Sequence, residues 1–265
     1  MCAIILNMPA ASIRARVRAE MITEIKAIAR QHLQTDGANL SLRAVARDMG
    51  MVSSAIYRYF ASRDELLTAL ILDAYNALGE SVEKADGAVT DRDQLRIRWL
   101  AAARSIRQWA LANPAEYALI FGTPVPGYAA PTDTIAAAAR TPVVLVGILA
   151  DGYASGALIT SRQATKTAAS KTAASKASTG VPATAHVTGG LPGSVRADLS
   201  RAVADIAPGL PDELMLAGMT GWIQLFGTIS FELFGQFNNV IEARAEFFDL
   251  QMELMADLIG LPAAA

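Results

Sequence analysis

A glycine joins two short helical patterns within Leu40–Phe60, and this stretch limits the possible folds more than any other part of the chain. In the first pattern Val45 and Met49 lie on one apolar face, and Ser41 precedes them as the expected N-cap. Gly50 follows where a helix ends in the left-handed conformation, which glycine adopts without steric cost. Two helices that meet at such a glycine form a helical hairpin or a helix-turn-helix.

The second pattern places Val52, Ile56 and Phe60 four residues apart, on one apolar face of a predicted helix. Because Val52 has no side-chain acceptor, Ser53 is the expected N-cap of this helix. A helix this short buries little surface by itself, so it must pack closely on the first helix, and the small side chain of Ala46 permits this approach. The polar residues then face outward, as in a helix-turn-helix whose second helix enters the DNA major groove.

Four segments make the pattern more specific: SLRAVA at 41–46, MG at 49–50, IYRYF at 56–60 and SRDELL at 62–67. Together they resemble the tetracycline-repressor (TetR) family of bacterial regulators. The last segment begins a helix with a capping box, in which Ser62 and Glu65 satisfy each other's backbone donors. The chain departs from the family pattern at Val52, where the family usually has Ser or Thr. The resemblance covers residues 12–85 well and the remainder by its general helical character.

The resemblance implies an all-α fold, with an N-terminal three-helix helix-turn-helix DNA-binding head and a C-terminal helical ligand-binding and dimerisation body. The predicted domains are a flexible arm at 1–11, a DNA-binding domain with its connecting helix at 12–85, and a regulatory and dimerisation domain at 90–265. A repeated KTAAS segment at 166–175 lacks large apolar residues, so 155–192 is predicted to be a disordered insertion in that last domain.

The implied function is transcriptional regulation by a cytoplasmic homodimer that binds a palindromic DNA operator and no membrane. It acts as a repressor that a small apolar effector releases. One alternative is a DNA-binding module of the same fold that works without a ligand or under the control of a partner. A more remote alternative is an adaptor that binds a membrane or protein surface through the hydrophobic C-terminal helices.

Charge and motif content agree with these expectations. Residues 1–70 carry nine Lys and Arg against six Asp and Glu, whereas residues 71–265 carry fourteen against nineteen. The single cysteine excludes an internal disulfide, as is typical of a reducing cytoplasm, and no apolar run reaches the roughly 18 residues that span a bilayer. HExxH, CxxC and glycine-rich phosphate motifs are absent, and the two histidines are His32 and His186. We therefore expect no enzymatic activity, no cofactor and no metal site.

Helical spacing of apolar residues predicts further helices at 12–34, 62–84, 93–112, 113–121, 132–153, 194–206, 212–237 and 242–259. The helix at 132–153 is expected to be interrupted near Pro142, because proline removes an interior hydrogen-bond donor. The helix at 212–237 is apolar over so much of its circumference that burial on two sides is expected. Near the start of the first helix, Arg14, Arg16 and Arg18 either contact phosphate or form a solvated surface.

Three groups of residues are the candidate sites. The expected DNA contacts are Ser41, Arg43, Ser53, Ser54, Ala55, Tyr57, Arg58, Tyr59 and Arg63. The residues expected to line an apolar effector pocket, which an ordinary aromatic core would also explain, are Trp99, Trp109, Tyr117, Phe121 and Tyr128. The residues expected near the centre of a dimer interface, on the two long C-terminal helices, are Trp222, Phe226 and Phe248.

Overall fold

The computed structural model describes residues 10–36, 40–158, 191–204 and 206–263, and every regular element in these residues is helical. This confirms the all-α fold. The elements are α1 at Ala10–Asp36, α2 at Leu42–Asp48, a 3-10 helix at Ile56–Arg58, α3 at Arg63–Gly87, α4 at Leu95–Ala112, α5 at Pro114–Phe121, α6 at Thr134–Ala154, α7 at Gly193–Val203, α8 at Asp212–Leu233 and α9 at Arg244–Ile259. Residues 1–9 of the predicted arm and 159–190 of the predicted insertion, including His186, lie outside the described residues.

The chain packs into two compact units, and α3 and α6 each contribute residues to both. Of the described residues, the first unit contains those within 10–77 and 113–137, and the second contains those within 78–112 and 138–263. This division differs from the predicted boundary at 85–90, because the loop after α5 supplies Val125 to the core of the first unit. The functional boundary between DNA-binding and regulatory segments therefore stays a prediction.

The core of the first unit is built from apolar stripes on α1, α2 and α3. Its fully buried side chains include Ile25 and Ala29 of α1 and Val45 of α2, and Ile56 of the 3-10 helix joins them. These are the apolar faces that helical spacing predicts. Val52 is an exception, because 72% of its surface is exposed. The backbone between Val52 and Ile56 forms a turn, so the helical register that would place both on one face does not apply.

In the second unit α4, α8 and α9 surround a buried tryptophan. The indole Nε1 of Trp99 donates a hydrogen bond to the carbonyl oxygen of Met252, 3.0 Å away, which satisfies its polar atom inside the core. On α8, Gly221 allows close approach, because a Cβ there would lie 3.2 Å from the Trp99 ring. Leu95, Ala102 and Ile106 continue the buried stripe of α4, as the sequence predicts.

The interruption predicted at Pro142 is wrong, because α6 runs without a break from Thr134 to Ala154. Thr141, Leu145 and Leu149 are buried around the proline, and this burial outweighs the roughly 3 kcal/mol that an interior proline costs. By length and composition alone, α6 and α8 are each apolar enough to cross a membrane. Their most apolar windows are 33% and 44% buried within the protein, so this is weak support for a membrane span.

The end of α8 also differs from the prediction. The helix ends at Leu233, because Gly235 adopts a φ of +79° and the N–H of Gln236 bonds to the carbonyl of Phe231 at 2.9 Å. These bonds form a Schellman motif, which stops a helix. In the single chain one side of α8 is uncovered, since Phe231 is 54% and Ile223 is 64% exposed, and burial on two sides stays a prediction for the dimer. One apolar side of α8 therefore faces outward.

Candidate nucleic-acid interface

The turn after α2 is a Schellman motif centred on glycine. Gly50 has a φ of +67° and its N–H donates to the carbonyl of Arg47 at 2.9 Å. The N–H of Met51 donates to the carbonyl of Ala46 at 2.8 Å. Residues with a Cβ adopt this conformation at a cost, so the turn favours glycine. The predicted glycine turn is confirmed.

The segment after this turn, residues 51–60, is called here the recognition segment. It contains a turn, closed by a hydrogen bond from the N–H of Ala55 to the carbonyl of Val52 at 2.8 Å, and then the 3-10 helix. The predicted continuous α-helix is wrong, and so is the cap at Ser53, since Ala55 precedes the 3-10 helix and no side chain caps it. Serine hydroxyls compete for backbone hydrogen bonds, and Ser54 next to Ser53 therefore favours turns over a helix interior.

Apart from Val52, the exposed side chains of the recognition segment are polar. The predicted DNA contacts that are exposed are Ser41, Arg43, Ser53, Ser54, Tyr57 and Arg58, whereas Ala55, Tyr59 and Arg63 are half-buried. Ser41 occupies the N-cap position of α2, but its side chain makes no capping bond. Hydroxyl, phenol and guanidinium groups are donors suited to base edges and phosphate oxygens.

Two of the half-buried residues help to hold the recognition segment. The Nε of Arg63 donates to the carbonyl oxygen of Leu40 at 3.1 Å, which joins the start of α3 to the second residue before α2. Tyr59 packs against the core of the first unit, and the guanidinium carbon of Arg18 lies 5.3 Å from its ring centroid. Arg18 also donates from Nη1 to the carbonyl oxygen of Arg58 at 2.8 Å. The sequence did not single out Arg18 for this role, although it lies seven residues before Ile25, on the same side of α1.

The helix after the recognition segment begins with a cap that differs by one residue from the predicted capping box. The hydroxyl of Ser62 accepts a hydrogen bond from the N–H of Glu65 at 3.1 Å, as predicted. The carboxylate of Glu65 accepts from the N–H of Ala61 rather than from that of Ser62. Further along α3, Asp73 accepts hydrogen bonds from Lys26 and Arg30 of α1 at 2.9 and 2.6 Å. These contacts hold α3 at its first turn and again in its middle.

The second unit contains an apolar cavity of about 300 Å³. Side chains from α4, α6, α8 and α9, together with residues on and after α7, line it, and none of the lining side chains is charged. Leu145 and Leu149 come from α6, and Met215 from α8. Two tryptophans, Trp99 and Trp222, also line it. Such a cavity has the size and lining of a site for a small apolar molecule.

The predicted pocket residues are separated by the fold. Trp99 lines the cavity, and Trp109 is half-buried on the same helix but is not among the lining residues. Tyr117 is fully buried in the first unit, where its ring centroid lies 5.1 Å from that of Phe121. The hydroxyl of Tyr128 lies 2.9 Å from that of Thr68 in the same unit. Tyr117 and Phe121 therefore pack on each other, and Tyr128 packs against the core of the first unit.

The predicted dimer residues also have different surroundings. Trp222 lines the cavity, Phe226 is 8% exposed and Phe248 is 1% exposed, so the two phenylalanines offer almost no surface to another chain. The exposed apolar residues of α8 and α9, called here the outer apolar face, are Ile223, Phe231, Leu250 and Leu254. The spacings of eight residues on α8 and four on α9 put each pair on one side of its helix.

Known proteins share this sequence and fold. Residues 25–70 match the model described as bacterial regulatory proteins, tetR family, and residues 99–255 match the tetracyclin repressor-like C-terminal domain. The HTH-type transcriptional regulator Rv1816 of Mycobacterium tuberculosis is 34% identical over 233 residues, which cover 87% of this chain and 88% of that protein.

Two solved structures are similar as well. The structure of a candidate regulatory protein, SCO4313, is 32% identical, with 94% of this chain and 98% of that chain covered and a TM-score of 0.65. The TetR family transcriptional regulator PfmR from Thermus thermophilus shares the fold at 19% identity, with 90% of this chain and 99% of that chain covered and a TM-score of 0.50. The matched families and the relative Rv1816 are transcriptional regulators and not enzymes. The chain belongs to the TetR family of DNA-binding transcriptional regulators.

Proposed function

We propose that this chain is a cytoplasmic homodimeric repressor that binds a palindromic operator through the recognition segment and leaves it when a small apolar effector fills the cavity. The observation that carries the proposal is the recognition segment itself. It presents Ser53, Ser54, Tyr57 and Arg58 to solvent, and buried Ile56 fixes it to the core. The single cysteine of the sequence fits a reducing cytoplasm.

Contacts to DNA divide by side-chain length and position. Arg58 is the one long donor among the exposed side chains of the recognition segment and suits the edge of a guanine. Ser53 and Ser54 are short and suit bases that lie close to the backbone. Arg43 and Ser41, at the start of α2, suit phosphate oxygens. A segment this short reads few base pairs, so a specific site requires two copies on a palindrome.

The outer apolar face supports a homodimer formed through α8 and α9. Ile223 and Leu250 are 64% and 63% exposed, and Phe231 and Leu254 are 54% and 55% exposed. Four large apolar side chains exposed on neighbouring helices are unusual for the surface of a monomer. The proposed interface therefore uses the two C-terminal helices that the sequence predicts. Phe226 and Phe248 are buried, so in this proposal they pack beneath the interface and do not lie at its centre.

The cavity supports an apolar effector, and α6 provides a route by which the effector would act. Leu145 faces the cavity, whereas Arg140 and Asp151 lie about a third of a turn around the same helix, on one side of it. Arg140 donates two hydrogen bonds to Glu83 of α3, at 2.8 and 2.6 Å. Asp151 accepts a hydrogen bond from Arg98 at 2.8 Å. An effector that displaces α6 would therefore also displace α3 through the Arg140–Glu83 pair. Because α3 begins three residues after the recognition segment, this movement would reach the DNA contacts.

The decisive experiment compares single alanine variants in a gel-shift assay. The probe is a genomic DNA fragment selected by the purified wild-type protein. Arg58→Ala should weaken binding about tenfold or more, because a bidentate base contact is worth about 1–3 kcal/mol. Tyr57→Ala should weaken it by a similar factor, because a hydrogen bond from the phenol to a charged phosphate oxygen is worth about 1.5–3 kcal/mol. Circular dichroism should stay unchanged, since both side chains are exposed. Arg201→Ala is the matched control, because its side chain is 76% exposed on α7 and pairs with Asp198 alone among the described residues. Normal binding by both Arg58 and Tyr57 variants would refute the proposed interface.

A further inference from the structure

The first turns of α1 extend beyond the core of the first unit. All residues from Ile13 to Glu20 are exposed, and the first fully buried residue of the helix is Ile25. From Ala10 to Ala19 the helix carries three arginines and no acidic residue. A helical extension with this charge and so little burial contributes almost nothing to the core. Packing therefore does not explain why α1 begins so far before its first buried residue.

The extension lies beside the recognition segment, because Arg18 bonds to it. The Arg18 guanidinium donates to the carbonyl oxygen of Arg58 at 2.8 Å and lies over the ring of Tyr59. Arg14 precedes Arg18 by four residues, so it lies on the same side of α1, about 6 Å further along the helix axis. Within the part of the chain that the structure describes, Arg14 makes no hydrogen bond or ion pair.

Arg16 has different surroundings although it is only two residues away. It lies on the opposite side of α1, and its Nε is 3.5 Å from a carboxylate oxygen of Glu20. Both side chains of this pair are more than 60% exposed. The three arginines of the extension therefore differ. Arg18 bonds to the recognition segment and Arg16 pairs with an acid. Arg14 makes neither contact and lies on the same side of α1 as Arg18, which faces the recognition segment.

We propose that Arg14 contacts a DNA phosphate beside the half-site, which makes the first turns of α1 a further DNA-contacting element besides the recognition segment and the start of α2. The inference rests on the proposed function, in which the recognition segment enters the major groove. That groove is about 12 Å wide, so the backbone that borders it lies about 6 Å from its centre. One turn of α1 covers a similar distance, and the Arg14 side chain adds its own reach. Positive charge on this side also complements the duplex, which carries one negative charge per about 1.7 Å.

The experiment measures the salt dependence of operator binding by fluorescence anisotropy, with the selected genomic fragment as the probe. Arg14→Ala should lower the slope of log affinity against log salt by about 1 for each protomer, since each lost phosphate contact lowers it by about 0.9. Affinity near physiological salt should fall about tenfold for a dimer. Arg14→Lys should restore most of the slope, because the contact is electrostatic. Arg16→Ala is the matched control and should bind as wild type does.

The outcomes separate this inference from the proposed function. If Arg14→Ala binds with wild-type slope and affinity while Arg58→Ala does not bind, the inference is wrong and the proposed function stands. If Arg14→Ala and Arg16→Ala lose equal affinity, the effect is one of diffuse charge and the Arg14 contact is refuted. If Arg58→Ala also binds normally, the proposed function fails and this inference fails with it.

Discussion

Gly79 of α3 and Arg140 of α6 are in such close contact that a Cβ on the glycine would lie 2.6 Å from the Cβ of the arginine. One turn later on α3, Glu83 accepts two hydrogen bonds from the Arg140 guanidinium. Hydrogen bonding from Arg140 lowers the pKa of Glu83, so the pair is charged at neutral pH. The helices α3 and α6 thus meet through a glycine contact and a bidentate ion pair.

Gly79→Ala should therefore destabilise the protein although alanine favours helices. The helix propensity gained is about 1 kcal/mol, whereas forcing an atom into a filled contact costs about 1–3 kcal/mol. We expect the free energy of unfolding in urea to fall by up to about 2 kcal/mol. Gly87→Ala is the matched control on the same helix, because no atom lies within 4 Å of its added Cβ. Equal stability of the two variants would contradict the close contact.

A second prediction concerns Asp86, which binds the buried guanidinium of Arg98. Burial opposes ionisation of this carboxylate, but hydrogen bonds from Arg98 and Arg92 outweigh burial and lower its pKa. A lowered pKa in the folded state stabilises the protein above the pKa of the unfolded chain, and this stabilisation disappears as the pH falls through the folded value. Asp86→Asn should therefore cost about 2 kcal/mol at neutral pH and progressively less as the solution is acidified through the carboxylate range.

The measurement is urea unfolding of wild type and variant across this pH range. Asp151→Asn is a suitable control, since Asp151 also binds Arg98 but is 56% exposed, and an exposed pair contributes about 1 kcal/mol or less. A loss of stability in Asp86→Asn that stays constant with pH would show that its charge is not what matters.

A backbone conformation could be predicted from the sequence where a single residue type favours it. Gly50 alone permits the left-handed turn after α2, so that turn could be located. The length of the recognition segment could not, because Ser53 and Ser54 favour a turn while the spacing of Ile56 and Phe60 favours a helix. Local preferences and periodicity conflict there, and only packing decides between them.

Tertiary packing also explains the other differences. Burial around Pro142 keeps α6 continuous, and periodicity does not reveal how much surface a helix buries. Helical spacing shows that Trp99 and Tyr117 face inward, but not that they belong to different units. On α8, the sequence shows apolar residues on several sides, and the structure is needed to learn that Phe226 is covered and Ile223 is not.

The third prediction tests whether the cavity binds apolar molecules. The neutral dye N-phenyl-1-naphthylamine should bind with saturable fluorescence and one site per chain, because none of the described residues that line the cavity is charged. Val146→Trp should abolish this binding by filling the space with an indole ring, since Val146 lines the cavity. Val143→Trp, on the same helix at a position 43% exposed, is the control and should bind the dye normally.

Repression relieved by an effector also requires that cavity ligands weaken operator binding. A bound dye that leaves DNA affinity unchanged would favour the alternative in which the chain acts without a ligand or through a partner. Failure of the wild-type protein to bind the dye would contradict the cavity as an effector site.

The last prediction concerns the homodimer. Leu250→Glu places a carboxylate on the outer apolar face, where dimerisation would remove it from water without a partner. We expect light scattering to show a monomer at micromolar concentration, and operator affinity should fall because one protomer reads half of the palindrome. Ile135→Glu is the matched control, because Ile135 is 64% exposed and Leu250 is 63% exposed, but Ile135 lies on α6. Circular dichroism should report an unchanged helix content for both variants. A Leu250→Glu protein that remains dimeric and binds the operator normally would place the interface on another surface.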